Sequence, residues 1–282
     1  MPLAVDSFSY HLHLGRHWFR PVPPRDLRWY CETGKALGVD GLHIDAWHFD
    51  VDGDVDWIAE FASTNGLYIE LAGSGVSAEE LAASLDAAQR VGARILRTFV
   101  GGKCTADRGV TAARARAARE YLVRSVEFAE QFGVCLALEN HQDLFVDDLL
   151  LLLEIDSPFF GICFDTGNFA AMGEDPVTAV EMLGERIVCV QLKDACPADR
   201  YDDAVPFGLP DSRVHFCPLG DGVVPLRPVV DALIAMKGKD FPLTLEVHTP
   251  FHHGLTPEEL LGREEENVVK SVRYARTVLG IP

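Results

Sequence analysis

Carboxylate and amide side chains end four short apolar segments in the second half of the sequence. They are Glu139, Asp165, Gln191 and Glu246. If these side chains converge, three carboxylates in a partly desolvated place would repel one another strongly unless they were protonated or neutralised by a cation. Oxygen ligands alone favour a hard divalent ion, Mn²⁺ or Mg²⁺, over Zn²⁺ or Cu²⁺. The four residues therefore predict a metal site, and a hydrogen-bonded acid cluster without metal is the alternative.

Eight apolar or β-branched segments alternate with amphipathic segments of helical spacing from one end of the sequence to the other. The predicted strands are residues 3–10, 39–45, 67–72, 94–100, 134–139, 161–165, 187–193 and 242–248. Eight βα units fit a closed (β/α)8 barrel better than a doubly wound sheet, which needs fewer strands and usually a Gly-rich nucleotide turn that this sequence lacks. We therefore expect an α/β fold, a single TIM-barrel domain over residues 1–282.

Capping patterns and glycines indicate where the helices begin and end. Ser77 with Glu80, and Thr256 with Glu259, have the spacing of a capping box. Four glycines stand where helices should stop in a left-handed cap before the next strand, namely Gly38, Gly66, Gly92 and Gly133. One connection, residues 195–225, is long enough to form a lid or binding loop, or else a mobile surface excursion.

Alternation along each predicted strand separates the side chains that face the helices from those that face the barrel axis. On the last four strands the inward side chains become polar toward the carboxyl end, where the active sites of such barrels lie. Besides the four proposed ligands, His141, Lys193 and His248 share this inward parity. The sequence therefore predicts that these polar side chains converge at one end of the barrel.

Inward positions on the other strands, and the histidines, extend the predicted site. His43, Asp45 and Glu70 face inward on the second and third strands, where they could contact substrate. All ten histidines fall at strand ends or in the loops that follow, which indicates a site that handles hydroxyls and moves protons near neutral pH, although a single histidine is more often a satisfied polar residue. The substrate-binding candidates are His11, His43, Asn168, His215 and His248. Arg97 and residues 101–103 would hold an anionic group.

Charge and composition disfavour several classes of partner. The chain has 43 acidic and 25 basic residues and a formal net charge of −18, which repels phosphate backbones and anionic lipids. Seven cysteines without Cys-x-x-Cys spacing indicate free thiols in a reducing compartment. The longest apolar run, residues 149–153, is too short to span a bilayer, and the start of the sequence lacks the regions of a signal peptide. We therefore expect a cytoplasmic protein that binds neither nucleic acid nor membranes.

Four fragments, in this order, resemble the xylose isomerase-like TIM-barrel family of the sugar phosphate isomerase/epimerase superfamily. They are Leu138-Glu139-Asn140-His141, Phe164-Asp165-Thr166-Gly167-Asn168, Gln191-Leu192-Lys193-Asp194 and Leu245-Glu246. The resemblance implies that Glu139, Asp165, Gln191 and Glu246 bind the catalytic ion, and it suggests a homodimer or homotetramer. Gln191 departs from most relatives, which carry histidine, and is similar to hydroxypyruvate isomerases; an amide should hold the metal less tightly and favour Mn²⁺ or Mg²⁺. Pro225 stands where the family commonly has an acid.

The resemblance implies an isomerase or epimerase that acts on a small keto or hydroxy sugar through a metal-stabilised ene-diolate. Glu139 and Glu246 would be acid and base on opposite faces of the substrate, while His141, His248 and Lys193 would orient hydroxyls or assist proton transfer. The alternative is a lyase (decarboxylase, dehydratase or C-glycoside-cleaving enzyme) that forms the same enolate from an oxo-sugar or oxo-sugar acid. Two other possibilities are an apurinic-site DNA endonuclease, which the charge of −18 disfavours, and a barrel that binds sugars without catalysis.

Overall fold

Eight parallel strands close into a barrel at the centre of the computed structural model, which describes residues 1–15, 23–200, 204–205, 214–252 and 254–282. With strands numbered along the chain, the order around the barrel is β1 (Leu3–Asp6), β2 (Gly41–Ile44), β3 (Tyr68–Ala72), β4 (Ile95–Thr98), β5 (Cys135–Glu139), β6 (Phe160–Asp165), β7 (Ile187–Leu192) and β11 (Leu243–Leu245). Two antiparallel pairs lie outside it, β8 (Asp194–Pro197) with β10 (Val214–Cys217), and β9 (Ala204–Val205) with β12 (Phe251–His252). The predicted (β/α)8 barrel is confirmed.

Nine α-helices occur in the described parts of the chain. They are α1 (Leu27–Leu37), α2 (Val55–Asn65), α3 (Ala78–Val91), α4 (Arg108–Phe132), α5 (Val146–Leu152), α6 (Thr166–Ala171), α7 (Pro176–Leu183), α8 (Leu226–Lys237) and α9 (Pro257–Thr277). Ser77 and Thr256 begin α3 and α9 with the predicted capping boxes, and the four predicted glycine caps have φ of 66° to 78°. None of the described helices is both long and apolar enough to cross a lipid bilayer.

Side chains alternate along the barrel strands as the sequence predicts. Leu136 and Ile162 are buried in the main apolar core between the sheet and the helices. Ala137, Cys163 and Cys189 form a separate small cluster inside the barrel. Small side chains fill the narrow interior of the barrel, and the polar inward residues lie above them at its open carboxyl end.

The first and the last predicted strand end three or more residues earlier than expected. β1 stops at Asp6 because its carboxylate accepts a hydrogen bond from Phe8 N at 2.7 Å and caps a 3₁₀-helix over Ser7–Tyr10. β11 stops at Leu245, although Glu246 N still donates to Leu192 O at 3.1 Å. Both segments therefore leave the hydrogen-bonded sheet at the carboxyl end of the barrel.

The connection over residues 195–225 is not an open loop where the structure describes it, because β8 and β10 pair as an antiparallel ribbon. The Asp194 carboxylate accepts hydrogen bonds from Gly220 N at 2.9 Å and Gly222 N at 3.0 Å, which holds the segment after β10 in place. The parts of this connection that lie outside the described residues are 201–203 and 206–213. The described part therefore includes a paired ribbon, and the role of this connection as a lid or binding loop stays a prediction.

Candidate functional site

The carboxyl ends of the barrel strands surround a cavity of about 170 Å³. Its floor is charged, with the carboxylates of Glu139 and Glu246 beside the cationic ends of Lys193 and Arg97. Its walls carry four aromatic side chains, Phe8, Trp47, Phe99 and Phe216. An ionic floor under aromatic walls can bind the polar edge of a small molecule while the rings cover its C–H face.

Three of the predicted ligand residues come together at this floor. One carboxylate oxygen from each of Glu139, Asp165 and Glu246 lies within 4.8 Å of the other two. Glu139 and Asp165 are the last residues of β5 and β6, and Glu246 directly follows β11, so closure of the barrel brings them together. All three are buried, with exposures of 1%, 0% and 7%. Carboxylates buried this close together need compensating positive charge.

Lys193 supplies part of that charge. Its Nζ lies 2.7 Å from Asp165 Oδ2 and 2.7 Å from Glu246 Oε1. Burial alone would lower the pKa of Lys193, but Asp165 and Glu246 outweigh burial and raise it above its usual value. Although burial opposes this, Lys193 and His248 hold the pKa of Glu246 well below its usual value, whereas burial raises the pKa of Asp165 to about 7. The ammonium group therefore lies between two of the proposed ligands.

Arg97 neutralises the other side of the acid cluster. Its guanidinium donates hydrogen bonds to Glu139 and, at 2.7 Å, to Asp45 Oδ2. Its Nε donates to His43 Nε2 at 3.3 Å. Each arm of the guanidinium thus faces a residue of this chain, which leaves Arg97 committed to internal acids rather than to the anionic ligand that the sequence suggested.

The loop after β4 is engaged in the same way. Gly101 N donates to Asp143 Oδ2 at 2.7 Å, so an internal carboxylate occupies the amide that was predicted to hold an anion. Arg114 donates to the backbone oxygens of Asp143 at 3.0 Å and Lys103 at 2.8 Å. Gly101 N and the Arg114 guanidinium are therefore engaged in contacts within the chain.

Gln191, the predicted fourth ligand, lies beside Asp165 in the ladder between β6 and β7. Its Nε2 donates to Asp6 Oδ2 at 3.0 Å, and Cys163 Sγ donates to its Oε1 at 3.6 Å. The amide is therefore held from two sides within the barrel. Its role as a metal ligand stays a prediction.

The start of α6 fixes Asp165 in the acid cluster. Asp165 Oδ1 accepts a hydrogen bond from Asn168 N at 2.8 Å and so caps the helix. Asn140 holds the backbone of Asp165 by accepting from its N at 2.7 Å and donating to its O at 2.9 Å. The remaining oxygen, Oδ2, is buried and lies 2.7 Å from Lys193 Nζ. Local structure therefore turns one carboxylate oxygen toward the cluster.

His141, Asn168 and His248 also line the cavity. Asn168 Nδ2 donates to Glu139 Oε1 at 2.9 Å, and His248 Nε2 lies 2.8 Å from Glu246 Oε1. Burial lowers the pKa of both histidines, so each ring is neutral near pH 7 and has one donor and one acceptor nitrogen. Each glutamate therefore has its own polar partner beside the cavity.

Comparison with known proteins agrees with this geometry. A family model described as a xylose isomerase-like TIM barrel matches residues 35–277. The chain belongs to the xylose isomerase-like TIM-barrel family. Solved structures with the same fold include the IolI protein with a bound zinc atom, at a TM-score of 0.70 and 18% identity over 96% of this chain and 98% of that one. They also include an L-ribulose 3-epimerase, at a TM-score of 0.71 and 15% identity over 99% of this chain and 94% of that one.

This xylose isomerase-like barrel also has a curated relative, the 3-oxo-isoapionate decarboxylase of Pectobacterium atrosepticum. The two sequences are 33% identical over 135 residues, which is 46% of this chain and 45% of the relative. The match therefore spans less than half of the relative's length. The family and its relatives are enzymes, and they include epimerases and a decarboxylase.

Three of the predicted substrate-binding histidines of this xylose isomerase-like barrel do not line the cavity, namely His11, His43 and His215. His11 Nδ1 lies 3.3 Å from Glu264 Oε1, and His43 lies inside the barrel beneath the floor. His215 precedes Phe216 on β10, so strand alternation turns it to the other face of the ribbon. His17 and His253 lie outside the described residues.

The aromatic walls were not among the predicted site residues. Phe8, Trp47 and Phe99 follow the ends of β1, β2 and β4 within three residues, so a search for aromatics just after each strand would have found them. Phe216 gave no such signal, because β10 falls inside what the sequence indicated as a long loop. Trp47 is 50% exposed at the rim of the cavity, which makes it available to an entering ligand.

Proposed function

We propose that this xylose isomerase-like barrel is a divalent-metal-dependent isomerase or epimerase that acts on a small keto or hydroxy sugar. The observation that supports this most is the convergence of Glu139, Asp165 and Glu246, whose oxygens lie within 4.8 Å of one another at the floor of a cavity. The aromatic walls above that floor suit the C–H faces of a sugar. The cavity of about 170 Å³ suits a small substrate.

The charge of the barrel mouth fits a divalent cation. Four carboxyl groups lie at the floor or directly beneath it among the described residues, those of Asp45, Glu139, Asp165 and Glu246. Lys193 and Arg97 are the only lysine and arginine side chains of the described residues that pair with them. The buried Asp165 Oδ2 lies 2.7 Å from Lys193 Nζ, and a metal ion could take the place of this cation. Buried carboxylates that outnumber the neighbouring cations favour a bound divalent ion.

Glu139, Asp165, Glu246 and Gln191 would hold this ion. Oxygen donors favour Mn²⁺ or Mg²⁺, while the solved IolI structure contains zinc. A divalent ion bound there supplies Lewis-acid polarisation of a carbonyl oxygen, which makes a proton on the adjacent carbon easier to remove.

Two glutamates are placed to move that proton. Glu139 on β5 and Glu246 after β11 are separated around the barrel by β6 and β7, so they reach a bound sugar from two sides. Asn168 orients Glu139 and His248 orients Glu246. One carboxylate removes the proton from the carbon next to the carbonyl and the other returns a proton, while His141 and Lys193 bind hydroxyl or carbonyl oxygens.

A lyase is the second candidate, and two observations favour it. Lys193 is a buried cation at the cavity, and loss of CO₂ from an oxo-sugar acid needs a cation to bind the carboxylate or the developing enolate oxygen. The curated relative with 33% identity is a decarboxylase. Both reactions need the same polarised carbonyl and differ in whether a C–H or a C–C bond breaks.

The test uses Mn²⁺-loaded protein with a panel of small keto sugars and oxo-sugar acids in D₂O, followed by proton NMR. Deuterium exchange or inversion at the carbon next to the carbonyl supports the isomerase or epimerase. Loss of CO₂ without rearrangement selects the lyase. Glu246→Gln should lower either activity by about 100-fold or more, because it removes the proton-transfer group. Sugar binding without exchange or turnover would contradict both and leave a sugar-binding barrel.

We propose a small-molecule carbohydrate as the partner, and neither nucleic acid nor membrane, because a net charge of −18 opposes both. A homodimer or homotetramer in the cytoplasm is proposed from the family and from the unpaired cysteines. Gel filtration with light scattering would test the assembly.

A further inference from the structure

The ammonium group of Lys193 fills space that a metal ion would need. Its Nζ is 2.7 Å from Asp165 Oδ2 and 2.7 Å from Glu246 Oε1, and Asp165 and Glu246 are two of the three residues that form the acid cluster. An Mg²⁺ ion binds carboxylate oxygens at about 2.1 Å. An ion bound within the cluster to the same two oxygens would therefore lie almost in contact with the ammonium nitrogen, and the two cations would repel each other strongly.

The stem of Lys193 is fixed, so only its end can move. Thr166 Oγ1 accepts a hydrogen bond from Lys193 N at 2.9 Å and donates one to Lys193 O at 2.6 Å. A Cβ added to Gly167 would lie 2.8 Å from Lys193 Cγ and 3.0 Å from its Cβ, so the stem passes directly over this glycine. Gly167 therefore provides the route by which the lysine reaches the acid cluster.

The ammonium group also has an aromatic neighbour on the cavity side. Phe216 lies on β10 with its ring centre 4.9 Å from Lys193 Nζ, close enough for a cation–π contact. The Phe216 ring is also packed against the His248 ring, with their centres 5.0 Å apart. Both Phe216 and His248 line the cavity. A small rotation about the last bonds of the side chain would turn the ammonium from the carboxylates toward this wall.

We propose that Lys193 is a built-in counter-ion that the divalent metal displaces, and that the displaced ammonium then binds an anionic oxygen of the substrate. This inference rests on the proposed metal-dependent function. In the metal-free chain Lys193 keeps Asp165 and Glu246 neutralised, so the barrel folds without metal. Loading the metal releases the cation into the cavity, so a substrate carboxylate or enolate oxygen meets a free ammonium group only after the metal has bound. Metal and substrate therefore bind in that order.

The test is a Mn²⁺ titration of wild type, Lys193→Met and Lys270→Met, with free Mn²⁺ measured by electron paramagnetic resonance. Lys270 is a matched control, because it is an exposed lysine paired with Asp221 and its loss changes the net charge equally. Lys193→Met should bind Mn²⁺ at least about tenfold more tightly than wild type, because a competing charge next to the ligands is gone. Lys270→Met should match wild type.

Unchanged or weaker Mn²⁺ binding by Lys193→Met, with normal binding by wild type, overturns the counter-ion role and leaves the proposed function standing. Mn²⁺ binding by neither chain overturns both. Binding by Lys193→Met alone would show that Lys193 excludes the metal instead of yielding to it, which overturns the displacement together with the metal-dependent function of the wild type. These outcomes separate a failure of this inference from a failure of the proposed function.

A measurement on the wild type covers the case in which Lys193→Met does not fold. Acetic anhydride labelling, read for each lysine by mass spectrometry, reports whether the ammonium group moves into the cavity. Lys193 is 3% exposed in the present arrangement. We expect its labelling to rise severalfold with Mn²⁺ while that of Lys270 stays constant. Equal labelling of Lys193 with and without bound Mn²⁺ would overturn the displacement.

Discussion

The two halves of the barrel use their inward positions differently. In the second half, Glu139, Asp165 and Glu246 stand at the last residue of a strand or directly after it, and they form the acid cluster at the cavity. In the first half, His43 and Glu70 stand one and two residues before the ends of β2 and β3, and they lie beneath the cavity floor. Parity decides whether a side chain faces the axis, while its distance from the strand end and its length together decide how near it comes to the cavity.

The layer beneath the floor is a polar network sealed from solvent. Thr244 Oγ1 donates to Glu70 Oε2 at 2.9 Å, and His43 Nδ1 lies 3.6 Å from Asp6 Oδ2 and 3.7 Å from Glu70 Oε2. Because His43 Nε2 accepts from Arg97, its Nδ1 carries the proton. Burial lowers the pKa of His43 and raises that of Asp6 and of Glu70. The titratable residues beneath the floor on the first strands are therefore kept largely neutral, whereas the acid cluster on the later strands is charged.

The largest effect is expected for Arg97→Met, since Arg97 joins the two layers through His43 and Glu139. Its loss leaves the buried carboxylates of Glu139 and Asp45 without their guanidinium, which costs about 3 to 5 kcal/mol of unfolding free energy. Urea denaturation would measure it. Arg90→Met is the control, because Arg90 makes solvent-exposed ion pairs whose loss should change the stability far less. Equal stability of the two variants would show that the layers are not linked by charge.

A smaller effect is expected for Glu70→Gln, and it depends on pH. Burial raises the pKa of Glu70 to about 7, above the value of about 4.3 in an unfolded chain. The folded state thus binds this proton more tightly, and the wild type loses the corresponding stability as pH rises from the unfolded to the folded pKa. Glu70→Gln cannot ionise, so its stability relative to wild type should grow by roughly 2 to 3 kcal/mol between pH 5 and pH 8.

Urea denaturation at each pH measures that growth. Glu60→Gln, a change at an exposed position of α2, is the control and should follow the wild type. A constant difference between Glu70→Gln and wild type from pH 5 to pH 8 would mean that the sealed layer holds an ionised Glu70, and the contrast between the halves would fail.

The smallest effect is expected at Gly167, beside the charged layer. Gly167→Ala places a Cβ 2.8 Å from Lys193 Cγ, and such overpacking costs about 1 to 3 kcal/mol. Gly262→Ala is the matched control, because a Cβ there meets nothing within 4 Å and alanine should stabilise α9 by about 0.5 to 1 kcal/mol. Thermal unfolding of both variants measures the difference. Stabilisation by Gly167→Ala would contradict the fixed route of the Lys193 stem.

The sequence predicted the barrel and its acid cluster because both follow from short-range alternation. Each strand that carries Glu139 or Asp165 shows apolar residues at every second position, and the acid at its carboxyl end needs no long-range information. The depth of His43 was not predictable in the same way, because a shift of one residue in a strand end moves a side chain below the floor. Whether a side chain faces inward or outward follows from the local sequence, whereas the strand ends are set by hydrogen bonds such as the one that Phe8 N donates to Asp6 Oδ1.

Lys193 and the β8–β10 pair show more clearly what could not be predicted from the sequence. Lys193 was placed at the site by parity, but its contacts with Asp165 and Glu246 depend on a long flexible side chain and on the absence of a Cβ at Gly167. Phe216 depends on the pairing of β8 with β10, which brings together residues about twenty positions apart. The contacts of Lys193 and the position of Phe216 could therefore not be predicted from the sequence.

The most direct test of the metal site is the metal content of wild type and Glu246→Ala, each equilibrated with Mn²⁺, separated by gel filtration and measured by plasma mass spectrometry. We expect one ion per chain in the wild type and none in the variant, because Glu246 contributes one of the three converging oxygens. No ion in the wild type, or the same content in both proteins, would contradict a metal site at these carboxylates.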